Sequence, residues 1–141
     1  MVSIFSADGK EFKISREEAQ LSLVWKDEKD VKTETDSVTL GYIVDFLALQ
    51  KGVRPPVIKN PLISTKMSDN TTKENADFID RIPEIFLFKL STTSMEFIIS
   101  SLGKLSCAKI GTLLMNKTNE EKQEILDRLE KGEKEIEISE K

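Results

Sequence analysis

The stretch from Ser6 to Ala19, SADGKEFKISREEA, constrains the fold of this chain more than any other. Asp8-Gly9 is a hairpin turn signal, because both central positions of a type I′ turn need positive φ, which Asp tolerates and Gly adopts freely. Short runs that read as strands lie on either side, Val2-Ser3-Ile4-Phe5 and Glu11-Phe12-Lys13-Ile14. In the second run Phe12 and Ile14 share one face while Glu11 and Lys13 share the other. Ser15-Arg16-Glu17-Glu18 follows at once. There Ser15 can cap the first free amides of a helix, and Glu18 can reach back to the Ser15 N–H. Hairpin followed by helix is the opening of a small α/β domain.

The pattern next predicts a helix from Arg16 to about Trp25 with Ala19, Leu23 and Val24 inward. Trp25, the only tryptophan, suits a core or helix-end position, or else an interface anchor. Lys26–Asp36 is charged and Thr-rich and reads as a mobile surface loop. Ser37-Val38-Thr39-Leu40 reads as a third strand able to pair with the hairpin. A helix over Gly41–Lys51 presents Ile43, Val44, Phe46, Leu47 and Leu49. Pro55 and Pro56 stop it, since proline lacks the amide donor and restricts the residue before it.

Val57–Lys73 reads as an irregular or disordered insertion that Val57, Ile58, Leu62 and Ile63 could pin locally. The second half is helical. Asn75 or Asp77 can cap a short helix carrying Phe78, Ile79 and Ile82, and a longer helix runs from Pro83 to about Phe97. A further helix from Ser100 carries Leu102, Leu105, Ile110, Leu113 and Leu114. Thr118-Asn119-Glu120-Glu121 is a second capping box, opening a helix with Ile125, Leu126 and Leu129 on one side. The tail from Lys131 to Lys141 is mostly charged and is expected to fray.

Composition argues against most chemistry. The net charge is −4 and the basic residues are scattered among acids, which gives no support to nucleic-acid or membrane-surface binding. There is no histidine, and the single cysteine, Cys107, rules out a disulfide within the chain and fits a reducing compartment. Cys107 lies in an apolar helical setting without an evident base and reads as a packed core thiol. The pairs Glu17-Glu18 and Glu120-Glu121 are adjacent, diverge by about 100° on a helix, and suit helix N-termini rather than an acid/base dyad. No catalytic, cofactor-binding or metal-ligating residue is predicted. MVSIFSADGK lacks the basic and long apolar regions of a signal peptide, so a soluble intracellular protein is expected.

The hairpin-then-helix opening resembles the N-terminus of the BTB/POZ-fold adaptors of cullin ubiquitin ligases, both the S-phase-kinase-associated (suppressor-of-kinetochore) adaptors and elongin C. Read without gaps, Ser94-Met95-Glu96-Phe97-Ile98-Ile99 through Cys107 to Lys117-Thr118-Asn119-Glu120-Glu121 resembles one block of the first of these families. That family carries a cysteine at the place of Cys107 and a Lys-Thr-Pro-Glu-Glu helix start where this chain has Lys117 to Glu121. Elongin C matches the opening as well, but its chain stops near the end of the BTB fold, which this one outruns.

The resemblance implies a mixed α/β (α+β) fold: a BTB/POZ-type core of a small three-stranded sheet with helices over 1–99, a helical F-box-binding extension over 100–130, and a charged tail over 131–141. It implies a non-enzymatic adaptor that bridges the N-terminal domain of a cullin to F-box proteins in an SCF-type ubiquitin ligase, in cytoplasm and nucleus, without direct contact with nucleic acid or membrane. A role in a kinetochore or other non-ligase F-box assembly, or an elongin C-like role, is the alternative, and homodimerisation is open to the chain when no F-box partner is bound. The cullin interface would take in Val38, Leu40, Met95 and Glu96. The F-box interface would take in Leu102, Leu105, Ile110, Leu113, Leu114, Ile125, Leu126 and Leu129, of which Leu102, Leu105 and Leu114 also suit a core. Two departures stand out. The family's Asn-aromatic pair on the cullin face is Met95-Glu96 here, and its final helix with an acidic run and terminal tryptophan has no sequence counterpart in Lys131 to Lys141.

Overall fold

In the structure, a computed structural model that describes residues 1–139, β1 (Val2–Phe5) and β2 (Glu11–Ile14) pair antiparallel. Val2 stands opposite Ile14 and Ile4 opposite Phe12. Strand alternation turns Val2, Ile4 and Ile14 inward, where all three are buried. The connection is wider than a two-residue type I′ turn. Gly9 N–H donates to the Ser6 carbonyl, Ser6 N–H donates to the Lys10 carbonyl, and within the turn Gly9 alone takes a positive φ, of 86°. A glycine thus closes a turn over Ser6–Gly9. The Asp8 carboxylate accepts the Ser6 hydroxyl, and chiefly for that reason its carboxyl sits below the ordinary value.

Ser15 and Glu18 form the predicted capping box, with Glu18 N–H on Ser15 Oγ at 3.0 Å and Ser15 N–H on Glu18 Oε1 at 2.8 Å. The helix it opens, α1, covers only Arg16–Ala19. Ala19 closes it, buried, and the predicted extension to Trp25 is instead a series of turns in which Trp25 is buried while Leu23 and Val24 face solvent.

The third strand is not where the sequence suggested. β3 is Asp30–Lys32, parallel to β1, with Ile4 opposite Val31. Bonds beyond the strand zip the whole 29–35 segment onto β1: Ser3 N–H to the Lys29 carbonyl at 2.8 Å, Thr33 N–H to Phe5 at 2.9 Å, and Ala7 N–H to Thr35 at 2.7 Å. The predicted mobile loop over Lys26–Asp36 therefore contains a strand. Ser37-Val38-Thr39-Leu40, predicted as that strand, is the first turn of α2 (Ser37–Gln50). Asp36 caps it by accepting Thr39 N–H at 2.8 Å. Leu40, Ile43, Phe46 and Leu47 follow one another at helical spacing and are all fully buried, whereas Leu49 is exposed.

By internal contacts the chain falls into two compact units, one of Met1–Pro55 with Thr92–Gly103 and one of Pro56–Ser91 with Lys104–Lys141. This division differs from a boundary at residue 99. In the first unit, after α5 (Leu87–Glu96), the segment Phe97–Ile99 returns to the Ser22–Trp25 turns. Trp25 and Phe97 pack with ring centroids 4.6 Å apart.

In the second unit, Asn70 organises what read as a disordered insertion. It closes α3 (Met67–Asn70) and is buried. Its side chain accepts Ile63 N–H at 2.6 Å and donates to the Ser64 and Lys66 carbonyls, while its own carbonyl accepts Lys59 N–H. Thr72, rather than Asn75 or Asp77, caps α4 (Lys73–Arg81). The predicted Pro83–Phe97 helix begins as a 3₁₀ turn, Glu84–Phe86, before α5 takes over.

α6 (Ser100–Leu114) and α7 (Asn119–Ser139) complete the order. α7 does not end near Glu130. Leu129 is fully buried, Arg128 pairs with Glu84 at 2.7 Å, and a Cβ on Gly132 would stand 2.5 Å from Ile85 Cγ2. This close approach, open only to glycine, seats the helix on the 3₁₀ turn. The frayed tail predicted from Lys131 is therefore helical to Ser139, and its last two positions, Glu140 and Lys141, lie outside the described residues.

The described residues thus form a mixed α+β fold of seven α-helices and one three-stranded sheet in the order β2-β1-β3, consistent with a BTB/POZ-type fold. Because Leu40 is core and not surface, Leu40→Ala should lower unfolding free energy by about 2–5 kcal/mol in urea titration, the cost of a buried large-to-small change. A loss confined to partner binding would contradict this placement. The depressed Asp8 group stabilises the fold above its unfolded pKa, and that contribution disappears as pH falls through the lower folded value. Asp8→Asn should therefore flatten the acid side of the stability–pH curve, read by melting temperature from neutral pH down through the carboxylate range.

Candidate functional site

Two groups of surface residues remain open for binding, one in each unit. In the first, α2 begins with Val38 exposed and Leu40 wholly buried, and α5 ends with Met95 and Glu96 exposed. Of the four residues suggested for a cullin contact, Val38, Met95 and Glu96 present surface and Leu40 does not. Met95 is placed by glycine: its sulfur lies 2.9 Å from where a Cβ on Gly103 would stand. The Glu96 carboxylate has no ion-pair or hydrogen-bond partner among the described residues.

In the second unit the helical leucines and isoleucines divide by burial. Leu105 and Leu129 are core residues, as is Leu102 in the first unit, and none of them has surface to offer a partner. Ile110, Leu113 and Leu114 on α6 and Ile125 and Leu126 on α7 are half-buried. The spacing of Ile110, Leu113 and Leu114 puts them on one stripe of α6, and Ile125 and Leu126 lie side by side on α7. Half-buried apolar rows of this kind suit an incoming helix, which would cover the part still exposed to water.

α7 is well started. Glu121 N–H donates to Thr118 Oγ1 at 3.2 Å and Thr118 N–H to Glu121 Oε1 at 3.1 Å, so the second capping box forms as predicted. The Thr118 backbone amide, with its hydroxyl, holds the Glu121 carboxyl below the ordinary value. Glu120 and Glu121 thus act at a helix start.

Cys107 departs from its reading as a core thiol. It is exposed on α6, with its sulfur 3.2 Å from the Ser91 hydroxyl. Leu105, two residues before it, points to the opposite, buried face of the same helix, and Ile110, one turn on, is only half-buried. Among the described residues no group of three or more Cys, Asp or Glu gathers into a metal site, and no helix is long and apolar enough to cross a membrane. Sequence reasoning turned Leu23 and Val24 inward because it extended α1 too far; both are exposed, as is Ile98, to which it assigned no burial.

No protein-family model matches the sequence. A protein of Tetrahymena thermophila, S-phase kinase-associated protein 1 homologue, is 30% identical over 130 residues, an alignment that covers 85% of this chain and 77% of that relative. If Cys107 is exposed as described, a maleimide should label it in the native protein at a rate close to that in denaturant, measured by intact mass. Labelling only after unfolding would restore the core reading.

Proposed function

From the premise that the chain belongs to the S-phase kinase-associated protein 1 family, we propose that it is a non-enzymatic adaptor joining a cullin scaffold to F-box substrate receptors in an SCF-type ubiquitin ligase. The observation that supports this most directly is the set of half-buried apolar residues on α6 and α7, Ile110, Leu113, Leu114, Ile125 and Leu126. Residues of this kind are dispensable to a finished core yet costly to leave wet, so a helical partner such as an F-box fits them. The cullin would meet the other unit, near Met95 and Glu96. The adaptor's contribution is geometric: it offers two binding faces and performs no bond-making step of its own. Action in cytoplasm and nucleus belongs to the same proposal.

Affinity capture of the chain from its native cells, read by mass spectrometry, should return a cullin together with F-box proteins. Capture of F-box proteins without a cullin would instead favour a non-ligase assembly. An F-box peptide should raise the melting temperature, because a ligand that binds only the folded state stabilises it by mass action. Leu114→Asp and Ile125→Asp should each abolish that rise while costing the free protein about 1 kcal/mol or less, as expected for partly exposed sites. Losses of several kcal/mol in the free protein would show these residues to be core and remove the main support for F-box binding.

A further inference from the structure

No helix or strand forms between α2 and α3, yet one residue of that segment is seated on α6. The Cδ1 atom of Leu62 lies 2.9 Å from where a Cβ on Gly111 would stand, closer than a real Cβ tolerates. The leucine therefore fills the notch that this glycine leaves. The backbone does not call for glycine there. Gly111 lies inside α6 and takes no positive φ, and glycine in a helix interior is disfavoured relative to alanine. Leu62 and Gly111 both belong to the second unit.

The notch adjoins the half-buried stripe. One turn from Gly111 on α6 stand Cys107, at i−4, and Leu114, at i+3, and Ile110 precedes it. Leu62 is itself half-buried, and Ile63 beside it is 58% exposed, so this segment is not part of a finished core. Its anchorage lies elsewhere. Among the described residues, every main-chain hydrogen bond of residues 57–64 runs to Asn70, and none reaches α6. Lifting Leu62 off Gly111 therefore breaks no hydrogen bond to the helix and uncovers only apolar surface. A helix laid along the stripe offers an apolar side chain for the same notch and would restore that burial.

We propose that residues 61–63 are a strap that, in the free chain, occupies part of the α6 face an F-box helix takes, and that binding displaces Leu62 from Gly111. This rests on the F-box half of the adaptor reading and adds to it a competition within the chain. The apparent affinity for the partner is then the intrinsic one multiplied by the fraction of molecules whose strap is open. Asn70 keeps the strap attached to its unit while Leu62 is out, so release is local and reversible.

The test is titration of the full chain with a synthetic F-box helix from a protein of the same organism, alongside thermal melting. Leu62→Ser should tighten binding by about fivefold or more, with a small loss of melting temperature. Gly111→Ala should tighten it as well without destabilisation, because the added methyl pushes aside only the flexible tip of Leu62 and alanine favours the helix. In a Cys107→Ser background, the thiol introduced by Leu62→Cys should react with a maleimide faster once the peptide is added. Suppose the native chain binds the peptide but both variants bind it no more tightly, or the peptide slows that labelling. Leu62 then lines the docking face instead of masking it, so the strap is overturned and the F-box reading stands. If neither the native chain nor Leu62→Ser binds the peptide, the strap and the F-box reading fall together.

Discussion

Ser22, Trp25 and Phe97 hold the first unit together. The Ser22 hydroxyl donates to the Phe97 carbonyl, 75 residues away, and accepts the local Trp25 N–H at 3.1 Å, so this buried group both donates and accepts. Trp25 then packs against Phe97 with no exposed surface of its own. Such a contact excludes a large apolar area from water and leaves the hydroxyl satisfied, so breaking it would strand a polar group in an apolar setting. Because of it, residues 92–103 belong with the sheet and α2 and not with the helices that flank them in sequence.

This junction also explains why the surface of the first unit is apolar where it is. The turns from Gln20 to Trp25 must bend to deliver Ser22 and Trp25 inward, and the bend turns Leu23 and Val24 outward. A continued α1 would have aimed those side chains differently. The return of the chain after α5 likewise needs a sharp reversal at Phe97–Ile99, which places an isoleucine in a left-handed position. Internal satisfaction and outward apolar display are consequences of one backbone path.

The second unit solves a different problem. It is mostly helical, and it uses side-chain amides and glycine contacts where the first uses strand pairing. Asn70 ties its irregular segment through both ends of one amide, and Gly132 lets α7 seat against Ile85. With Leu105 and Leu129 already buried, the apolar surface left for a partner is confined to the half-buried positions of α6 and α7. That is a smaller surface than the helical periodicity alone implied, and it separates fully buried leucines from half-buried ones.

Local signals in the sequence determined the elements that depend on neighbouring residues: the hairpin from β1 to β2, the capping boxes at Ser15 and Thr118, and the helices over most of 41–50 and from Ser100 to Leu114. Their causes are turn chemistry, caps and periodicity within a few residues, which a sequence displays directly. The family was legible too, in the block around Cys107 and Thr118. Tertiary structure alone decided where β3 lies, because Asp30–Lys32 has one apolar residue and is a strand only by bonding to β1. It also decided that Val38 and Leu40 belong to a capped helix and that Cys107 faces out, since burial depends on which neighbours arrive from distant sequence. The candidate contact residues divide the same way: helical spacing named the leucines, and only packing showed which of them remain free to bind.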